Sequence, residues 1–90
     1  MDKHIRIKIF GKVQGVGFRF TVHLAFVDLG ITGTVENKPD GSVEITAKGP
    51  EDKLERLERW CHKGPEGAKV TNVEVEEVAE KDQAETNEPT

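Results

Sequence analysis

The residues with most chemical potential sit in one nine-residue run, Gly11 to Arg19, which reads GKVQGVGFR. Three glycines and one terminal arginine make it a poor helix and a poor strand. If the run is a turn leading into a helix, several backbone N–H groups have no intrahelical partner and converge. The helix N-terminus adds partial positive charge, and the result is an anion cradle. Gly15 and Gly17 would let a ligand approach the backbone, since no Cβ intrudes. Arg19, just inside the helix, carries a planar fork that matches a phosphate or carboxylate edge. The run is not a Walker loop, which needs Gly, four residues, then Gly-Lys-Ser/Thr. It is not a dinucleotide fingerprint either, because Phe20 stands where the third glycine would be. On local grounds two readings stay open, an anion cradle and a plain connector.

Other reactive residues offer less. Cys61 and His62 are adjacent but have no second pair at ligand spacing, so no metal site is expected. Cys61 falls on an expected buried stripe and reads as inert. His4, His23 and His62 read as surface residues. Phe18, Phe26 and Trp60 read as packing groups.

The elements that must position Arg19 follow from periodicity. His4 to Phe10 alternates, with Ile5, Ile7 and Ile9 on one face, and is expected as a strand. From Phe18 the period lengthens. Val22, Ala25, Phe26 and Leu29 form a helical stripe, and Gly30 stands at a left-handed C-cap. Ile31 to Asn37 and Ser42 to Lys48 are strands joined by Lys38-Pro-Asp-Gly41, a turn signal, so they form a hairpin. Asn37 before that turn is an ordinary turn former. Pro50 followed by Glu51 and Asp52 opens a second helix, with Leu54, Leu57 and Cys61 inward. Val70 to Val78 is a last strand, with Val73 and Val75 inward. The order β-α-β-β-α-β predicts an α+β, ferredoxin-like sandwich: a four-stranded antiparallel sheet with two helices on one face.

Ninety residues make one domain near the lower limit of unaided folding. The formal charge is −4. Of this, −3 comes from Ala79 to Thr90, where Glu80, Asp82, Glu85 and Glu88 face Lys81 alone. The near-neutral body excludes a nucleic-acid coat. Strand three, SVEITAKG, lacks the stacking aromatics of an RNA-recognition module. No apolar run approaches membrane-spanning length, and MDKHIRIKIF is no signal peptide. One cysteine suits a reducing compartment, so a cytoplasmic monomer is expected. The expected domain is 1–78, followed by a flexible acidic tail over 79–90, or at most a weak edge strand.

The run GKVQGVGFR closely resembles the first signature of the acylphosphatases. Gly33-Thr34-Val35-Glu36-Asn37, followed by Gly41, Val43 and Gly49, resembles their second. The resemblance implies a cofactor-free enzyme that hydrolyses the carboxyl–phosphate bond of small-molecule acyl phosphates. It places the phosphate-binding arginine on Arg19 and the water-positioning asparagine on Asn37. It places the phosphate cradle on the backbone N–H groups of Gln14, Gly15, Val16, Gly17, Phe18 and Arg19; read on its own, the Gln14 side chain supports the loop rather than doing chemistry. It leaves one related alternative, a domain that binds or processes carbamoyl phosphate, as at the start of large hydrogenase-maturation proteins. Three departures stand out. Thr34 replaces a usual aromatic residue, which would remove packing near the site and loosen the acyl side. Glu36 replaces a basic or amide residue, on the face away from Asn37. The C-terminus lacks the aromatic and β-branched residues of a closing fifth strand, which predicts lower stability than in a full-length relative.

Overall fold

The computed structural model describes residues 2–78. The expectations of a flexible tail, a weak fifth strand and its cost in stability lie outside the described residues. The elements are β1 (Asp2–Lys12), α1 (Phe18–Leu29), β2 (Thr32–Asn37), β3 (Val43–Pro50), α2 (Glu51–Lys63) and β4 (Lys69–Glu77). The fold is the ferredoxin-like α+β sandwich. Its sheet has the order β2-β3-β1-β4, with every neighbouring pair antiparallel. Each helix therefore carries the chain over one intervening strand, β3 for α1 and β1 for α2. That crossover makes β1 parallel to β2, so the C-terminal ends of both strands lie at the same end of the sheet. This is what brings the Gly-rich loop and Asn37 together.

One face of the sheet is apolar because side chains alternate. Ile7, Ile9, Val43, Ile45 and Ala47 pack with Phe18, Val22 and Phe26 of α1 and Leu54, Leu57 and Cys61 of α2. The helical stripes expected from spacing are the ones buried. Gly30 caps α1 in the left-handed region, φ 72°, donating to the carbonyls of Phe26 and Val27. Pro50 caps α2, and Glu51 and Asp52 occupy its first turn, where carboxylates favour the helix dipole. β2 starts one residue later than expected, leaving Ile31 just before it, and β3 starts one residue late and runs two residues further than expected, through Pro50. Among the described residues β4 is an edge strand, and the expected inward Val75 remains 39% exposed.

Two glycines of the second signature are fixed by contact. A Cβ on Gly33 would run into the carbonyl of Thr46 on β3, and one on Gly49 would run into the Ile31 side chain. A larger residue at either position would push β2 or the α1–β2 junction off the sheet.

The opposite face of the sheet carries charge. Glu44 lies between Arg6, at 3.2 Å, and Lys38, at 3.1 Å; Lys38 also meets Glu36 at 2.8 Å. These neighbours raise the Lys38 pKa, with the Glu36 hydrogen bond the largest cause. One expectation fails here. His4, read as a surface residue, is buried. β1 is an inner strand, so His4 is flanked by Lys48 of β3 on one side and by the end of β4, where the Val78 N–H donates to its carbonyl. Burial on an inner strand depends on strand order, which alternation does not encode.

Candidate active site

The loop between β1 and α1 is held at both ends by the core. Val13 and Phe18 are buried, and residues 14–17 arch between them. β1 reaches this loop through a bulge at Phe10/Gly11, where Gly11 lies so close to the Lys69 carbonyl that no Cβ fits. A bulge bends its strand and increases the local twist, here just ahead of the loop. Phe18 locks the other end. Its ring meets Trp60 edge-on, centroids 5.2 Å apart, and lies against Gly64 at the end of α2. Truncating a buried Phe of this kind costs about 3–5 kcal/mol and would free the loop.

Between these anchors the backbone turns twice through the left-handed region, at Gly15 (φ 75°) and Gly17 (φ 80°). A Cβ at either would meet nothing within 4 Å. Space is therefore open beside both, and backbone conformation is what selects glycine. Gly17 is also the N-cap of α1, and no side chain caps the helix. The first helical bond runs from the Thr21 N–H to the Gly17 carbonyl, 3.0 Å. Among the described residues, none of the N–H groups from Gln14 to Phe20 donates to a backbone carbonyl. These are unspent donors at the positive end of a helix.

Arg19 is in the first turn of α1, exposed, and has no ion-pair partner among the described residues. Asn37 ends β2. The register aligns Ile9, Val43 and Asn37 in one row across β1, β3 and β2. Ile9 and Val43 point to the helical side, so alternation directs Asn37 there too, beyond the apolar core and toward the start of α1. Gly15, Gly17, Phe18, Arg19, Phe20 and Asn37 line one cleft of about 240 Å³.

Of the residues picked from sequence, Arg19, Asn37, Gly15, Gly17 and Phe18 meet at this cleft. Gln14 and Val16 flank it without lining it. Gln14 acts sideways: its Nε2 donates to the carbonyls of Lys38 and Ser42, both at 2.8 Å. It ties the loop to the turn that follows Asn37. That turn is itself braced by Asp40, whose Oδ1 accepts from the Ser42 N–H at 2.9 Å and from its hydroxyl at 2.6 Å. Those bonds, the side-chain one first, hold the Asp40 pKa down to about 2. Thr34 does not line the cleft. It shares the charged face of the sheet with Glu36 and sits opposite Thr46, so the expected loosening of the acyl side has no structural basis there. Sequence reading passed over Phe20, the exposed ring at the cleft. Its signal was present: an aromatic residue off the Val22/Ala25/Phe26/Leu29 stripe has no core to enter.

Among the described residues no group of three or more His, Cys, Asp or Glu is arranged to hold a metal ion, and no helix is long and apolar enough to cross a membrane. Burial pushes the Cys61 thiol up to about 12, with Glu58 adding to the effect.

Fold and cleft together define a small ferredoxin-like protein with an open cleft, lined by Arg19, Asn37 and a glycine loop, at the start of its first helix. Comparison with known proteins makes this specific. The acylphosphatase family model matches residues 5–88. An acylphosphatase of Trichormus variabilis is 49% identical over 74 residues, covering 80% of this chain and 73% of that one. The solved acylphosphatase of Coxiella burnetii has a TM-score of 0.83 and 40% identity, over 87% of this chain and 82% of the other. Full-length HypF, solved in a phosphate- and nucleotide-bound form, matches with a TM-score of 0.81 and 30% identity, over 87% of this chain but 10% of its own length. The chain belongs to the acylphosphatase family. It is an enzyme of that family, a hydrolase.

Proposed function

We propose that the cleft hydrolyses acyl phosphates, with Arg19 and the backbone N–H groups of Gln14 to Arg19 holding the phosphoryl group and Asn37 placing the attacking water. The observation that carries this reading is the meeting of Arg19, Asn37 and the uncapped glycine loop at one opening.

The chemistry suits these groups. An acyl phosphate is a mixed anhydride whose leaving group is a carboxylate, and a carboxylate departs without protonation. Hydrolysis therefore asks for three things: a grip on a dianionic phosphoryl group, stabilisation of charge on its equatorial oxygens, and a water in line. The Arg19 fork and the ring of N–H donors meet the first two. The Asn37 side chain meets the third, since its amide oxygen accepts from water and its NH₂ donates to a phosphoryl oxygen. The water oxygen attacks phosphorus, and the bond from phosphorus to the carboxylate oxygen breaks, its electron pair leaving with the carboxylate. One water proton stays on the new P–OH and the other passes to a phosphoryl oxygen. The products are carboxylate and dihydrogen phosphate. No side chain needs to act as a base.

The site acts on a small molecule and uses one chain, so a monomer is the working unit in this reading. The single reduced thiol fits a cytoplasmic setting. The family resemblance leaves a second reading, in which the same cradle takes carbamoyl phosphate; full-length HypF, solved with phosphate and nucleotide, shares this fold. The higher identity to the acylphosphatases favours the first.

The test is turnover of benzoyl phosphate and carbamoyl phosphate by the purified protein in chelator, with Arg19→Ala and Asn37→Ala alongside. Loss of one preorganised donor typically costs about 10²–10³ in rate. Both variants are expected to lose at least that much on benzoyl phosphate while keeping the parent circular dichroism. Silence of the parent on benzoyl phosphate with turnover of carbamoyl phosphate would favour the second reading. Unimpaired variants would remove Arg19 and Asn37 from the mechanism.

A further inference from the structure

We infer that Phe20 is the acyl-binding platform of the cleft, and that it selects acyl phosphates whose acyl group has an apolar or aromatic body. The inference rests on the acyl phosphate reading of the same cleft.

Three consecutive residues of α1 face three ways. Phe18 turns inward and is 2% exposed, Arg19 reaches the cradle, and Phe20 stands outward with 69% of its surface exposed. Phe20 nevertheless lines the same cleft as Arg19 and Asn37. A large aromatic residue held this open by a folded protein calls for a partner, and here the partner lies within the cleft. One turn further along the same side of the helix, Leu24 is 54% exposed, so the apolar surface leads away from the cradle.

The charge distribution selects the same class. Among the described residues Arg19 is the one charged side chain lining the cleft, and the phosphoryl group takes it. A second anionic group on the acyl side would find no further cation among the described residues of the lining. The acyl group must leave the cradle, because the cradle donors are directed at phosphate. At the rim it meets the Phe20 ring. Contact with an aromatic face rewards another ring or an alkyl chain and is nearly indifferent to a methyl group.

The experiment compares benzoyl phosphate with acetyl phosphate on the parent, Phe20→Ala and Val27→Ala. Val27 is on the same helix, is more exposed than Phe20, and lies outside the cleft. Each variant is scored as a ratio to the parent on the same substrate, which removes the intrinsic reactivity of the two anhydrides. Phe20→Ala is expected to raise KM for benzoyl phosphate by about 5-fold, the size of one aromatic contact. KM for acetyl phosphate should move by less than about 2-fold, and inhibition by inorganic phosphate should hold, because uniform binding is lost only where the ring is touched. Val27→Ala should change neither substrate. Equal effects of Phe20→Ala on both substrates, or none, would overturn the inference while leaving the enzyme reading intact. Failure of the parent to hydrolyse either substrate would instead remove the acyl phosphate reading and this inference with it.

Discussion

The Gln14 side chain donates to the Lys38 carbonyl at 2.8 Å, across 24 residues of sequence. With its second bond to the Ser42 carbonyl, this amide joins the loop that leads into Arg19 to the turn that follows Asn37. The two signatures of the family are thus mechanically one object. The Ser42 carbonyl also accepts from the Lys38 N–H at 2.8 Å, so the turn and the cross-link share an acceptor.

Gln14→Ala should therefore act on position rather than on binding chemistry. Losing two partly buried bonds costs about 1–3 kcal/mol of stability, because two carbonyls lose a donor. A misplacement of about 1 Å costs roughly 10²-fold in rate. The expected result is a kcat reduced well beyond what the stability loss explains, with inhibition by inorganic phosphate reduced less. Urea unfolding and steady-state kinetics on the same preparation check this. A kcat that is unchanged while the unfolding midpoint falls would make Gln14 purely structural.

Acid should undo the other brace of that turn. The Asp40 carboxyl has its pKa lowered from 3.8 to about 2, first by the Ser42 hydroxyl and then by the Ser42 N–H. A depressed carboxylate pKa gives stability that is present above the unfolded value and lost as pH falls through the folded one. The stability difference between the parent and Asp40→Asn should be level above about pH 4 and close as pH falls toward about 2. Urea titrations of both proteins at stepped pH measure it. A difference that widens in acid would contradict the sign.

Cys61 should report on global opening. It is fully buried and its thiol is held up to about 12, so thiolate is scarce in the native state. A thiol reagent at neutral pH should modify the native protein very slowly and the urea-unfolded protein rapidly. The check is mass spectrometry of alkylated protein over time. Fast native modification would mean that the α2–sheet packing opens locally.

Much of the fold was legible because periodicity carries it. The Val22/Phe26 and Leu54/Leu57/Cys61 stripes, the Gly30 cap and the Pro50 start are local patterns, and local patterns are written in neighbouring residues. The site was legible only in part. Gly15, Gly17 and Arg19 are consistent with an anion cradle on physical grounds, but the same residues also fit a plain connector, and no local rule connects Asn37 to them. That link came from the family resemblance, and its physical basis is the register that aligns Asn37 with Ile9 through Val43. His4 was misread because its surroundings depend on strand order, which long-range pairing sets. For Phe20 the position off the stripe signals exposure, but the cleft beside it is visible only once the fold is built.

The most direct test of the account is a backbone amide NMR titration with inorganic phosphate. The account predicts saturable shifts at the amides from Gln14 to Phe20 and at the Asn37 side chain, with residues of α2 and β4 still. Arg19→Ala should abolish those shifts while leaving the rest of the spectrum in place. Saturable shifts centred elsewhere, or none in the Gln14–Arg19 loop at saturating phosphate, would contradict it.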